Sequence, residues 1–219
     1  MYTSEHRRAL LLGVLGCVLF GFGARPAPAQ TLTCPGSPSG GCIGPVAERG
    51  SRLNIHYDGL NPRRSRLEWR VKNAATTFVT QFGDPASGTT EYAVCVYSGG
   101  SLVYGGDVPA QGTCKGQNPC WSGDVEGYRY RDPGAFEEGL TRISVRQGVE
   151  GRARVFVRAS NNIVTPTFDT ALTPPPYANQ VTAQIINDAG QCWEAKFDNG
   201  ILPFARNDAV RFRATAIGP

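Results

Sequence analysis

Between Arg52 and Ala216 the apolar residues recur at every second position in short runs, and no 3.6-residue period persists beyond two turns. A period of two sends successive side chains to opposite faces, so these runs read as half-buried strands. The clearest example spans Ala178 to Asp198. Val181-Thr182-Ala183-Gln184-Ile185-Ile186 and Gln191-Cys192-Trp193-Glu194-Ala195-Lys196-Phe197 flank the turn sequence Asn187-Asp188-Ala189-Gly190, which predicts a β-hairpin. Its second arm puts Trp193, Ala195 and Phe197 on one face and Cys192, Glu194 and Lys196 on an outward, charged one.

The same pattern recurs along the chain. Leu53, Ile55 and Tyr57 alternate with Arg52, Asn54 and His56; Leu67, Trp69 and Val71 alternate with Arg66, Glu68, Arg70 and Lys72. Residues 91–98 hold Tyr92, Val94 and Val96 on one face and Cys95 and Tyr97 on the other, and Gly99-Gly100 returns the chain through residues 101–108. Gly127 to Arg131 is a shorter run. Residues 140–147 and 152–160 are joined by the loop Gly148-Val149-Glu150-Gly151, and residues 209–216 close the chain. The Pro-rich stretch 165–177 reads as a strand-to-strand connection. About ten short strands with turn signals between them predict an all-β chain: a single-domain antiparallel β-sandwich over 51–219, jelly-roll-like or Ig-like, with a barrel as neighbour.

Arg7 and Arg8 precede an apolar run from Ala9 to Phe22, and Ala27-Pro28-Ala29 supplies small residues for cleavage. That order is a secretory signal over 1–29. The run falls short of the about 20 residues a membrane span needs. Val14-Leu15-Gly16-Cys17 resembles a lipobox, but the apolar run continues past Cys17, so lipid anchoring is the lesser reading. The chain is expected to be exported, to periplasm or beyond, with no membrane span.

Without Cys17, six cysteines remain: Cys34, Cys42, Cys95, Cys114, Cys120 and Cys192. An even number in an exported chain predicts disulfides. The lead 30–50 and the loop 114–120 are rich in Pro, Gly, Ser or Asn, so the spacing favours local staples Cys34–Cys42 and Cys114–Cys120. That leaves Cys95 for Cys192, although fifteen pairings are open to six cysteines.

His56 is the one histidine after the leader. With the thiols oxidised it leaves no metal set, no Cys-His or Ser-His-Asp set and no cofactor motif. Paired carboxylates from Glu126, Asp132, Glu137, Glu138 and Glu194 are the remaining catalytic option, that of a carbohydrate-active enzyme.

Loss of Arg7, Arg8, Arg25 and Glu5 with the leader takes the net charge from +4 to about +2, which is no nucleic-acid footprint. The distribution is more telling. Arg66, Arg70, Arg142, Arg146, Arg152, Arg154, Arg158, Arg211 and Arg213 all alternate outward from their strands. If those strands are neighbours, one sheet face is cationic and suits an anionic glycan or cell-surface polymer. The plain alternative is a solvated face with cross-strand ion pairs. The function expected is a non-enzymatic module with a structural or binding role.

Gly83-Asp84-Pro85, Tyr92 to Tyr97, Cys114…Cys120-Trp121, Gly127 to Asp132, Val181-Thr182-Ala183-Gln184 and Cys192-Trp193-Glu194-Ala195-x-Phe197 follow one another in an order that resembles a β module of uncharacterised exported bacterial proteins. The likeness spans roughly residues 67–212. No activity or ligand is established for that module, so it implies only that Cys95, Cys114, Cys120 and Cys192 belong to it, with Cys34 and Cys42 an addition.

Overall fold

The computed structural model describes residues 32–162 and 167–217. The leader over 1–29, with Cys17, lies outside the described residues. Among those described, no helix is long and apolar enough to cross a membrane.

The described residues form twelve strands: β1 Ser51–His56, β2 Arg66–Ala74, β3 Tyr92–Ser98, β4 Ser101–Val108, β5 Trp121–Asp124, β6 Gly127–Arg131, β7 Leu140–Arg146, β8 Ala153–Ser160, β9 Gln180–Asn187, β10 Cys192–Asp198, β11 Arg206–Asn207 and β12 Arg211–Thr215. They make two antiparallel sheets. The larger has the order β11-β12-β1-β2-β8-β7-β6-β5, and the smaller β10-β9-β3-β4. Alternation decides which residues meet between them. Leu53, Ile55, Leu67, Trp69, Val157 and Phe212 from the larger sheet share one buried cluster with Tyr92, Val94, Ile185, Trp193 and Phe197 from the smaller. The all-β, two-sheet reading of the sequence holds.

Two strands beyond the expected ten are β5 and β11, four and two residues long. Runs this short carry too few alternations to stand out. The Pro-rich connection contains one helical turn, α1 Thr167–Ala171, which buries Phe168 against Tyr104.

The lead corrects two expectations. The spacing favours a lead closed on itself by Cys34–Cys42, with Cys95 joined to Cys192. Instead the disulfides are Cys34–Cys95, Cys42–Cys192 and Cys114–Cys120, and only the last pairing is the expected one. The reason is strand order. Cys95 sits in β3 and Cys192 in β10, and β9 lies between them. Two interstrand spacings amount to about 9–10 Å, beyond the about 7 Å that a disulfide spans between Cα atoms.

The lead therefore runs as a strap over the outer face of the smaller sheet, with Cys34 bonded to β3 and Cys42 to β10. Beneath it Ala93, Cys95 and Tyr97 are buried, with Leu32 packed against them. The Tyr97 hydroxyl donates to the Pro35 carbonyl at 3.0 Å. Gln184, fully buried, accepts from Ser39 N–H at 3.0 Å and donates to the Ser39 carbonyl at 2.7 Å. Past Cys42, Ile43 adds a parallel bridge to Trp193, which covers part of the β10 edge. Glu194 is for the same reason no open-face residue: its side chain is 13% exposed, paired with Lys196 at 3.0 Å and accepting from Gln184 at 3.1 Å.

Candidate functional site

Eight of the nine expected arginines lie on strands of the larger sheet. Arg66 and Arg70 are on β2, Arg142 and Arg146 on β7, Arg154 and Arg158 on β8, and Arg211 and Arg213 on β12. Arg152 stands apart, in the turn before β8, where it lines an end groove of about 560 Å³ with Phe78, Glu126, Arg146, Val149 and Arg154. Because every inner position of these strands is apolar, each arginine is left on the face away from the core.

Register turns these separate residues into rows. One row crosses the sheet as Arg206, Arg213, Asn54, Glu68, Arg158, Arg142 and Arg131. The next runs Thr215, Arg52, Arg70, Phe156, Ser144, Arg129 and Ser122. Flanking them are Arg211, His56, Arg66 and Ser160 on one side and Arg154 opposite Arg146 on the other. Cβ atoms directly opposite on antiparallel strands stand about 4.5–5.5 Å apart, where like charges are destabilising. Arg158, Arg142 and Arg131 occupy three successive strands in this way, so the sheet tolerates a repulsion that folding does not require.

Few carboxylates offset it. Within these rows Glu68 is the one acid, 2.9 Å from Arg70 Nε. Arg146 pairs with Asp124 and Glu126, and Arg206 with Asp208, all at the sheet's ends. No ion pair engages Arg66, Arg131, Arg142, Arg158, Arg211 or Arg213 among the described residues. Phe156 holds the centre, with the Arg70 and Arg142 guanidinium carbons 5.0 and 5.2 Å from its ring centroid. The Arg142 guanidinium lies below its ordinary pKa, first through burial and then through Arg129, Arg131, Arg158 and Arg70. The guanidinium nevertheless stays protonated, so these four arginines surround a charged neighbour.

Four members of the face were not among the nine. Arg52, Arg129 and Arg131 carry the same alternation signal within β1 and β6. Arg206 sits on a two-residue strand and carries none.

Of the acids proposed for paired-carboxylate chemistry, Glu126 and Glu194 stand apart, whereas Asp132, Glu137 and Glu138 lie near one another. Asp132 is buried and accepts from Gly134 and Phe136 N–H at 2.8 and 2.9 Å, so it builds a turn. Glu126 faces Arg146. Glu194 lines a cleft of about 320 Å³ with Cys42, Pro45, Val46, Ala75, Lys196 and Ile217, none of them an acid. Glu137 and Glu138 lie near Asp107, whose N–H donates to Glu138 at 3.4 Å. Burial first, then the Asp107 carboxylate, raises the carboxyls of Glu137 and Glu138, with Asp132 adding to Glu137 and Glu137 to Glu138, and burial together with Glu91 raises that of Asp107. Among the described residues no group of three or more His, Cys, Asp or Glu has the arrangement to hold a metal ion.

No family model, curated protein or solved structure matches this chain. The functional reading therefore rests on the sheet face itself.

Proposed function

We propose that this chain is an exported, disulfide-pinned, non-enzymatic β module that binds an anionic glycan or cell-surface polymer along the outer face of its larger sheet. The observation that carries the proposal is the row Arg158, Arg142 and Arg131, like charges side by side on successive strands without an acid among them. Three disulfides support an oxidising compartment. The predominance of arginine fits the role, because a guanidinium fork matches oxyanions in two-point contacts.

The test is retention of the oxidised protein on immobilised dextran sulfate at about 0.1 M salt, where charges beyond about 10 Å are screened. Replacing Arg131, Arg142 and Arg158 by Ser together should weaken retention about tenfold, from three contacts of about 0.5 kcal/mol each. The same variant should melt no lower than the wild type, since it relieves repulsion. Unchanged retention, or a marked loss of stability, would mean that these arginines serve the fold rather than a ligand.

A further inference from the structure

At the β12–β1–β2 end the cationic face stops being flat. His56, Arg66, Arg158, Arg206, Arg211 and Arg213 line a groove of about 660 Å³. Two acids touch this group, and both are engaged: Glu68 with Arg70, and Asp208 with Arg206. Arg66, Arg158, Arg211 and Arg213 have no ion-pair partner among the described residues. Glu68 lines the same groove but is held by Arg70, so these four arginines share one concavity with no carboxylate paired to them. His56 is oriented there too. Its Nδ1 donates to the Arg64 carbonyl at 2.9 Å, which fixes the ring as part of the groove wall.

We propose that this groove is a pocket for a phosphate monoester borne on the anionic polymer, an inference that rests on the binding-face reading above. A carboxylate has two oxygens and one charge, and a single guanidinium fork satisfies it. A phosphate monoester has three acceptor oxygens and a charge approaching −2 near neutral pH. Several unpaired guanidiniums around one concavity match the second group. Arg211, His56 and Arg66 stand side by side on β12, β1 and β2, so the sheet register itself assembles the wall.

Calorimetric titration with glucose 6-phosphate, glucose 6-sulfate and glucuronate tests the assignment, because the sugar is shared and the anion differs. Glucose 6-phosphate should bind about tenfold tighter than glucuronate and measurably tighter than the sulfate. The Arg66→Ser/Arg213→Ser variant should lose about tenfold of that affinity, while Lys196→Ser, on β10 of the smaller sheet, keeps it. Thermal melts of both variants confirm that they remain folded. Equal affinity for phosphate and either other anion would overturn the pocket, as would equal losses in the two variants. Retention on dextran sulfate with no titration by any of the three sugars would remove the pocket and leave the binding face standing. Failure of the wild type to be retained on any polyanion would remove the face itself.

Discussion

Trp193→Ala should destabilise the protein by about 3–5 kcal/mol, the cost of truncating a fully buried aromatic. Trp193 is 1% exposed in the middle of β10. Its ring centroid lies 5.1 Å from that of Phe82, and its indole N–H donates to the Thr77 hydroxyl at 3.4 Å. Truncation opens a cavity between the sheets and strips a buried hydroxyl of this partner. A domain is held together by about 5–15 kcal/mol, so the loss is a large share. For a chain of this size each kcal/mol moves the midpoint about 2–4 °C, which places the fall between roughly 6 and 20 °C. Circular dichroism melts decide it. A midpoint within two degrees or so of wild type would show that Trp193 does not anchor the core.

The second large effect concerns the strap. Joint replacement of Cys42 and Cys192 by Ser opens a cross-link with a sequence separation of 150. Loop-closure entropy assigns about 5 kcal/mol to it, against about 2 kcal/mol for Cys114–Cys120, whose separation is 6. Release of the strap also takes the Ser39 partners away from buried Gln184 and loosens the cover over Tyr97. Urea unfolding of the two double variants should therefore rank Cys42/Cys192 well below Cys114/Cys120. The reverse order would show that the lead contributes little to holding the smaller sheet.

The contrast between strap and sheet shows what this sequence discloses. Alternation assigns faces without knowledge of strand order, so Leu53, Ile55, Leu67 and Trp69 are buried as expected and the arginines beside them are outside. Turn sequences mark Gly99-Gly100 and residues 187–190 as hairpin joints, and both join neighbouring strands. Strand order is a long-range property. The insertion of β9 between β3 and β10 has no local signature, and it redirects two disulfides and buries Glu194 under the strap. The cationic face is legible only in part for the same reason. Each arginine's outward direction follows from its own strand, whereas the row Arg158, Arg142, Arg131 exists only once β8, β7 and β6 are paired in register.

The most direct measurement is chemical-shift mapping of the isotope-labelled protein with dextran sulfate oligomers, following backbone amides and the arginine Nε–H groups. Perturbations should concentrate on β1, β2, β8, β7 and β6 and on Arg131, Arg142 and Arg158, and they should diminish as salt shortens the Debye length below about 10 Å. Perturbations centred instead on the strap, on the smaller sheet, or on the loop carrying Glu137 and Glu138 would contradict the assignment of the larger sheet as the binding face.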